Sequence, residues 1–487
     1  MSLFSLFLLE ARQLRFDRVF WATVMLSSLA LLFGLANGQH WLDGQQAQIA
    51  GYETQTRQQF EALRKAADDL REQGAAPAQS LTARNGDPRY ALAFGSAMQH
   101  ICRHGGDLAA LAVGQSDLYN ACISVTAWEI GGAYDEQLHR NLENPLRLLF
   151  GGFDAAFVIL TLLPIAVLII GYNQLSGERE LGTLPLLSCQ PPAVRRIIAA
   201  RFAVRAVVFL LLTLAPLSLA FWFWTTQPEK SHTGLALAGW LAVTAAYLLF
   251  WFSCAFWVNT RGKSTAENGL LLAGLWLLFV VVLPGCLNLS LKQWYPLPSR
   301  MEYIDASREA TIEVGKRKTE LLGKYLIDHP DRVPNTQSVN VDDFIQTRIA
   351  LDEETERVLA PGQAEFDEQQ RHQRDFVERL RFLSPAIVYQ QFVHQLTGQG
   401  QDHQQAFLAA VADYHRRLRA FYFPRFTLDT PTFSEYDAIP QFQQPPVSIE
   451  EHVSQLLGAC AGLSLPMWLL VIGGWRRLRR IGVKVEA

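Results

Sequence analysis

Histidines and cysteines lie close together in one hydrophilic part of the sequence, where they could bind a metal ion or form a disulfide. These residues are His100, Cys102, His104 and Cys122. Their spacing matches none of the usual zinc patterns, in which pairs of ligands recur at short fixed intervals. We therefore favour a structural cysteine pair beside surface histidines. An outward-facing hydrolase that uses the histidines stays open as an enzymatic alternative.

A second group, Gly262-Lys263-Ser264-Thr265, has the ending of a phosphate-binding loop. The first glycine of that motif would fall on Trp257, which lies in an apolar run and not after a buried strand. The sequence therefore predicts that this chain is not an enzyme, holds no cofactor and has no ATPase of its own.

Charged residues and leucines are combined in the polar segment from Tyr172 to Pro192, which separates two apolar runs. Glu178, Arg179 and Glu180 lie beside a leucine set, namely Leu181, Leu184, Leu186 and Leu187. A short helix here would have one charged and one apolar face, which suits docking onto a soluble partner. Pro185 is not compatible with the middle of a helix, so we expect the helix to restart near Gly182 and not to run unbroken from Ser176.

Six apolar stretches are long enough to span a membrane, which takes roughly 20 mostly apolar residues. We predict an all-α membrane protein with transmembrane helices at residues 19–37, 150–171, 201–225, 235–258, 268–287 and 456–475. Residues 1–18 read as an amphipathic helix on the membrane surface. For the first apolar stretch, a signal peptide ending near Ala36 is the alternative.

Two long hydrophilic segments, 38–149 and 288–455, interrupt the series of spans. Their helical periodicity predicts two helix-rich insertions that pack together into one domain outside the cytoplasm. The remaining parts are a loop at 172–200 and a tail at 476–487. The net charge of −3 argues against a nucleic-acid partner, for which a basic surface is expected.

The distribution of basic residues in the short segments predicts the orientation of the chain. One side carries Arg12, Arg15, Arg18, Arg179, Arg195, Arg196, Arg201, Arg261, Lys263, Arg476, Arg477, Arg479, Arg480 and Lys484. The short loop 225–234 on the other side has only Lys230. Because Lys and Arg are enriched in cytoplasmic loops, both termini are expected in the cytoplasm and both insertions outside it.

The run Ser176-Gly177-Glu178-Arg179-Glu180-Leu181-Gly182-Thr183-Leu184, closed by Gln190-Pro191, resembles the first cytoplasmic loop of permease subunits of type 2 ABC exporters. Residues 108–119, 143–145 and 151–154, and further stretches at 380–386, 396–398 and 407–424, resemble a subgroup with large periplasmic insertions and no assigned function. The match touches most of the chain. Pro185 departs from it, since a polar or basic residue is expected there.

The resemblance implies a permease subunit in the bacterial inner membrane that couples ATP hydrolysis on a separate ATPase subunit to export or extraction of a substrate. The implied coupling residues are Gly177, Glu178, Arg179, Glu180, Gly182, Thr183, Leu184, Leu186 and Leu187. ATP and Mg would bind the ATPase, and the other partners would be a second permease subunit, identical or paralogous, and membrane lipid. A membrane-anchored sensor or scaffold with a periplasmic ligand-binding domain is the alternative.

A disulfide between Cys102 and Cys122 follows from where the six cysteines fall. These two are the only cysteines of the outward segments, where an oxidising compartment would favour their pairing. The others, Cys189, Cys254, Cys286 and Cys460, belong to the predicted cytoplasmic loop or to spans and their ends.

Reporter fusions test the predicted orientation. Fusions after Gly74 and Gln363 should be active only with a reporter that works in the periplasm. A fusion after Cys189 should be active only with a cytoplasmic reporter, because of the arginine asymmetry. Cytoplasmic activity at Gly74 would overturn this arrangement of the chain.

Overall fold

The computed structural model describes residues 3–72, 99–106, 108–114, 120–127, 152–188, 194–224, 233–328, 330, 344–425, 438–444 and 449–485. The described chain is predominantly helical, and six helices are long and apolar enough to cross a membrane. They are Arg18–Lys65, Ala155–Glu180, Val194–Trp224, Thr233–Asn259, Thr265–Trp294 and Val453–Arg479. The prediction of a multi-pass membrane protein with six spans is confirmed.

The chain begins with helix α1 (Leu3–Leu14), followed by α2 (Arg18–Glu72), which contains the first span. Asp17 separates the two and accepts a hydrogen bond from the backbone N–H of Phe20 at 3.0 Å, so it caps the start of α2. Leu35, within the stretch that resembles a signal-peptidase site, lies inside α2 and is fully buried. Helix α2 continues well beyond the apolar run without a break.

The second span starts as a short helix, Ala155–Phe157, passes through a π-helical turn and continues as α3 (Leu163–Gly171). Asp154 caps this start, accepting from the N–H of Phe157 at 2.7 Å and from that of Val113 at 2.8 Å. The buried segment around Ala110 also contacts α2. A Cβ on Gly38 would lie 2.0 Å from the Ala110 carbonyl oxygen, so glycine is required at this crossing.

After α3 come two short helices, α4 (Ser176–Glu180) and α5 (Leu184–Ser188). The third and fourth spans are α6 (Val194–Trp224) and α7 (Thr233–Asn259). The fifth comprises α8 (Thr265–Trp276), a π-helical turn and α9 (Leu283–Trp294). Helix α7 is central, since the large side chains of Trp240, Tyr247 and Trp251 are fully buried.

Prolines in the spans free backbone carbonyls that side chains of other helices then satisfy. Pro164 has no N–H to offer the Leu160 carbonyl four residues earlier, and Tyr247 donates to that oxygen at 2.9 Å. Pro216 likewise has no N–H to donate to the Leu212 carbonyl, and the hydroxyl of Ser28 on α2 donates to that oxygen at 3.2 Å. Such side-chain partners allow proline within a membrane helix. They also bind α3 to α7 and α6 to α2.

The helices between the fifth and sixth spans belong to what is called the outer domain below, meaning the domain outside the spans. They are α10 (Arg300–Lys316), α11 (Lys318–Asp328), α12 (Phe344–Leu380), α13 (Pro385–Leu396) and α14 (Gln401–Arg425). Ile101 and Ile123 of the first insertion share one hydrophobic core with Phe407 and Tyr414 of the second. Phe60, near the end of α2, packs against this core. The two insertions therefore pack together.

The first insertion contains two short antiparallel strands, β1 (Gln99–Cys102) and β2 (Cys122–Val125). This sheet is a departure from the all-helical prediction, and its strands are too short for a period-2 pattern to stand out in the sequence. Cys102 pairs with Cys122 across the strands, and their Sγ atoms are 2.01 Å apart. After α14, the last helix of the chain is α15 (Ile449–Val485), which contains the sixth span.

The disulfide should stabilise the outer domain, because it closes a loop with a sequence separation of 20 residues. On the chain-entropy model, the double substitution Cys102→Ser and Cys122→Ser should lower the free energy of unfolding by roughly 3 kcal/mol. Reversible denaturant unfolding of the purified chain measures this loss. Two alkylatable thiols at these positions in the unreduced wild-type chain, found by mass spectrometry, would contradict the pairing.

Candidate functional site

Helices α4 and α5 form a bent segment at one membrane end of the bundle, and their break falls at Leu181–Thr183. Gly182 adopts a φ of +71°, a conformation that side-chain-bearing residues rarely take. The Thr183 N–H donates to the Glu178 carbonyl at 2.9 Å, which closes the end of α4. Pro185 lies in the first turn of α5, where proline is tolerated. The predicted restart of the helix near Gly182 is confirmed.

Glu178 binds the segment to α6 and, through Arg201, to α1. Its Oε1 accepts from Arg201 Nη1 at 2.9 Å, and its other oxygen accepts from the Thr183 hydroxyl. Arg201 also donates to the Gln174 carbonyl at 3.2 Å, and its Nε lies 3.4 Å from Glu10 Oε2. The side chains of Arg201 and Glu10 are only 12% and 7% exposed, so one guanidinium neutralises two acids with little help from water.

A second arginine extends this ion-pair network toward the start of the first span. Arg205 lies one turn after Arg201 on α6, and its Nη2 is 3.4 Å from Asp17 Oδ2. Its Nη1 is 3.9 Å from Glu10 Oε2. Four elements are therefore tied together: α1, the cap of α2, α4 and α6.

Arg179 and Glu180 face the opposite way, toward the turn between α7 and α8. Glu180 accepts from the backbone N–H of Thr265 at 2.7 Å and from its hydroxyl at 2.9 Å, so a carboxylate lies at the N-terminus of α8, where the helix dipole favours negative charge. Arg179 donates to the Lys263 carbonyl. Gly262, with a φ of +77°, makes the turn against which Arg179 rests.

Asn259, at the end of α7, fixes the chain that enters α4. Its side-chain amide donates to the Gly171 carbonyl at 2.8 Å and accepts from the Leu175 N–H at 3.1 Å. Asn259 is 1% exposed, so these polar groups are satisfied within the protein. Asn259 therefore fixes the backbone just before α4, in addition to the contacts made by Glu178 and Glu180.

The leucines of the segment do not share one face, and this corrects the prediction of a single apolar surface. Leu184 is buried in the main core, and Leu187 packs against Leu6, Ile197 and Ala200. Leu181 and Leu186 point outward, with exposed fractions of 79% and 67%. The left-handed Gly182 turns α5 relative to α4, so helical spacing does not carry across the break.

Several residues of this site were missed by the sequence analysis. Arg201 was counted only for membrane orientation, while Glu10 and Thr265 were given no role at the site. Their chemistry is visible in the sequence only as single charges or hydroxyls. What brings them together is the packing of α1, α6 and α8 around the bent segment, and no local pattern encodes it.

The Gly262–Thr265 turn and the group that includes His100, the two other candidates for chemistry in the sequence, have structural roles. Ser264 caps α8 by accepting from the Glu267 N–H, and Lys263 lies 3.3 Å from Glu267, so the Gly262–Thr265 turn is a helix start. His100 hydrogen-bonds Ser124 at 2.9 Å and stacks on the ring of Tyr52. Among the described residues, no group of three or more His, Cys, Asp and Glu side chains is placed to hold a metal ion.

Comparison with known proteins bears on the outer domain only. A family model described as a domain of unknown function (DUF3526) matches residues 300–444, which include helices α10 to α14 and exclude α4 and α5. No curated protein matches the chain. The fold defines a predominantly helical chain with six helices able to span a membrane and a helix-rich domain outside those helices.

Replacing Arg201 should destabilise the protein, because Arg201→Gln leaves Glu178 without its ion-pair partner and leaves Glu10 with only the longer contact to Arg205, at 3.9 Å. Breaking a buried ion pair on one side typically costs about 3 to 5 kcal/mol. Arg196→Gln is the matched control, since Arg196 is exposed on the same helix and should change stability by less than about 0.5 kcal/mol. Unfolding of both purified variants in detergent compares them.

A further substitution separates charge from packing in this test. Adding Glu178→Gln to Arg201→Gln should recover part of the lost stability, because it removes the acid that has lost its ion-pair partner. Equal losses for Arg201→Gln and Arg196→Gln would show that the network contributes nothing measurable.

Proposed function

We propose that this chain is the membrane-spanning permease subunit of an ATP-driven ABC exporter, and that α4 and α5 dock onto a separate ATPase subunit. The observation that carries the proposal is the exposure of Leu181 and Leu186 on a segment whose charged groups are all engaged within the chain. Large apolar side chains at a polar membrane end have no lipid to cover them, and a partner protein would remove them from water.

The rigidity of the segment supports a role in transmitting motion. Glu178 fastens it to α1 and α6, while Glu180 fastens it to the start of α8. A displacement of the segment by ATPase closure would therefore move three membrane elements together. The acids act as anchors of the docking surface and not as its contact points.

The remaining parts of the proposal follow from orientation and from the family resemblance. Both termini and the segment α4–α5 lie in the cytoplasm, and the outer domain faces the periplasm. ATP and Mg bind the partner ATPase, so this chain has no cofactor and no catalytic residue of its own. A second permease subunit completes the exporter within the lipid of the inner membrane.

Substituting the two exposed leucines tests the docking. The double substitution Leu181→Ser and Leu186→Ser should weaken ATPase binding by roughly tenfold or more for each leucine, since burial of one such side chain contributes about 1.5 kcal/mol or more. The measurement is the amount of ATPase that copurifies with the chain from its native membrane. Leu187, first grouped with Leu186, is left intact because it packs on Leu6.

The control is Ile327→Ser, an exposed apolar residue of the outer domain with the same exposed fraction as Leu181, 79%. It should leave ATPase binding unchanged. Glu180→Gln should retain the ATPase but lower substrate-stimulated ATP hydrolysis, because it weakens the anchor to α8. Absence of any copurifying ATPase from the wild-type chain, or unchanged binding by the leucine variant, would favour a sensor or scaffold.

A further inference from the structure

Two arginines, one in the turn after α7 and one on the final helix, contact the same tryptophan near α4. The guanidinium carbon of Arg261 lies 4.5 Å from the centre of the Trp257 ring, and that of Arg477 lies 5.1 Å from it. Trp257 is half-buried near the end of α7, and Arg261 follows it by one helical turn. Arg477 comes from the final helix, α15.

Two glycines of α15 make this arrangement possible. A Cβ on Gly473 would lie 3.4 Å from Trp257 Nε1, and one on Gly474 would lie 2.7 Å from the ring of Phe256. The absence of side chains there lets α15 approach α7 closely. Arg477 is one turn beyond Gly473 on the same face of α15, so close packing delivers its guanidinium to the tryptophan.

Among the described residues, no acid neutralises these two cations. Within the described part of the chain, neither Arg261 nor Arg477 forms an ion pair. Because the guanidinium carbons lie 4.5 and 5.1 Å from the same ring centre, they are no farther apart than the electrostatic screening length of roughly 10 Å at 0.1 M salt. Nearby Lys263 is paired with Glu267, and Glu180 is committed to Thr265. Binding of an anion would relieve the repulsion between the two guanidinium groups.

We propose that Arg261, Arg477 and Trp257 form a binding site for the phosphate of an anionic phospholipid headgroup. Trp257 and Gly473 belong to candidate spans, so the site lies where two spans leave the apolar layer. Tryptophan is enriched at this interface between the apolar layer and the headgroups. Arginine can bind a phosphate there through two parallel N–H groups. This position beside the acyl chains favours a lipid over a soluble protein, and the site is independent of the proposed transport function.

Lipid binding to the purified full-length chain tests the site. Phosphatidylglycerol and phosphatidylcholine are titrated separately in detergent, and bound lipid is counted by native mass spectrometry. Phosphatidylglycerol should bind in preference. Each of Arg261→Gln and Arg477→Gln should weaken this binding about fivefold, and the double variant on the order of 30-fold, since one basic residue near a membrane contributes about 1 kcal/mol.

Arg476→Gln is the matched control, because Arg476 is exposed on the neighbouring position of α15 and contributes the same charge to the tail. It should leave binding within about twofold of wild type. If Arg476→Gln and Arg477→Gln weaken phosphatidylglycerol binding equally, the lipid is attracted by the charge of the whole basic tail and not by the proposed site.

Two other outcomes would also overturn the proposal. Equal binding of the two lipids would remove the requirement for an anion. Competition by glycerol phosphate at the lipid's own concentration would show that the acyl chains are irrelevant and that a soluble phosphate is the occupant. If the double variant fails to fold, the two single variants, which each retain one cation, still decide the result.

Discussion

The arrangement of α1 and α4 around the start of α6 depends on one desolvated guanidinium, that of Arg201. Arg201 lies between Glu10 and Glu178, and all three are largely removed from water. Charges in such surroundings are costly unless they are paired, so Glu178 requires Arg201, while Glu10 is paired with both Arg201 and Arg205. The positions of α1 and α4 against α6 follow from this requirement. It also explains why the exposed side chains of this charged segment are the apolar Leu181 and Leu186.

The spans and the bent segment were predictable because they are encoded locally. Six apolar runs identify six spans, and Pro185 alone indicates the break between α4 and α5. The disulfide partners could be named from the predicted compartment of Cys102 and Cys122, without knowledge of the strands. These inferences need only composition, spacing and one rule of backbone geometry.

The division of the leucines could not be predicted, for a physical reason. Helical spacing assigns faces only while the helix continues, and the positive φ of Gly182 resets the direction of every later side chain. Likewise, Thr265 becomes the partner of Glu180 only because α8 starts beside α4. Contacts between residues 85 positions apart are set by the packing of the whole bundle. The sequence therefore indicated where the segment is, while the structure determined which of its side chains are exposed.

The unbroken course of α2 has a mechanical consequence. Its 55 residues form a helix roughly 80 Å long by the helical rise, with Phe60 packed against the core of the outer domain and Asp17 just before its first residue. The tight crossing at Gly38 fixes a fulcrum along this rod. A tilt of about 5° there would shift the Arg18 end, roughly 30 Å away, by about 2 to 3 Å. That shift is comparable to the length of one hydrogen bond, so a movement of the outer domain that tilts α2 would break or form the Arg205–Asp17 contact.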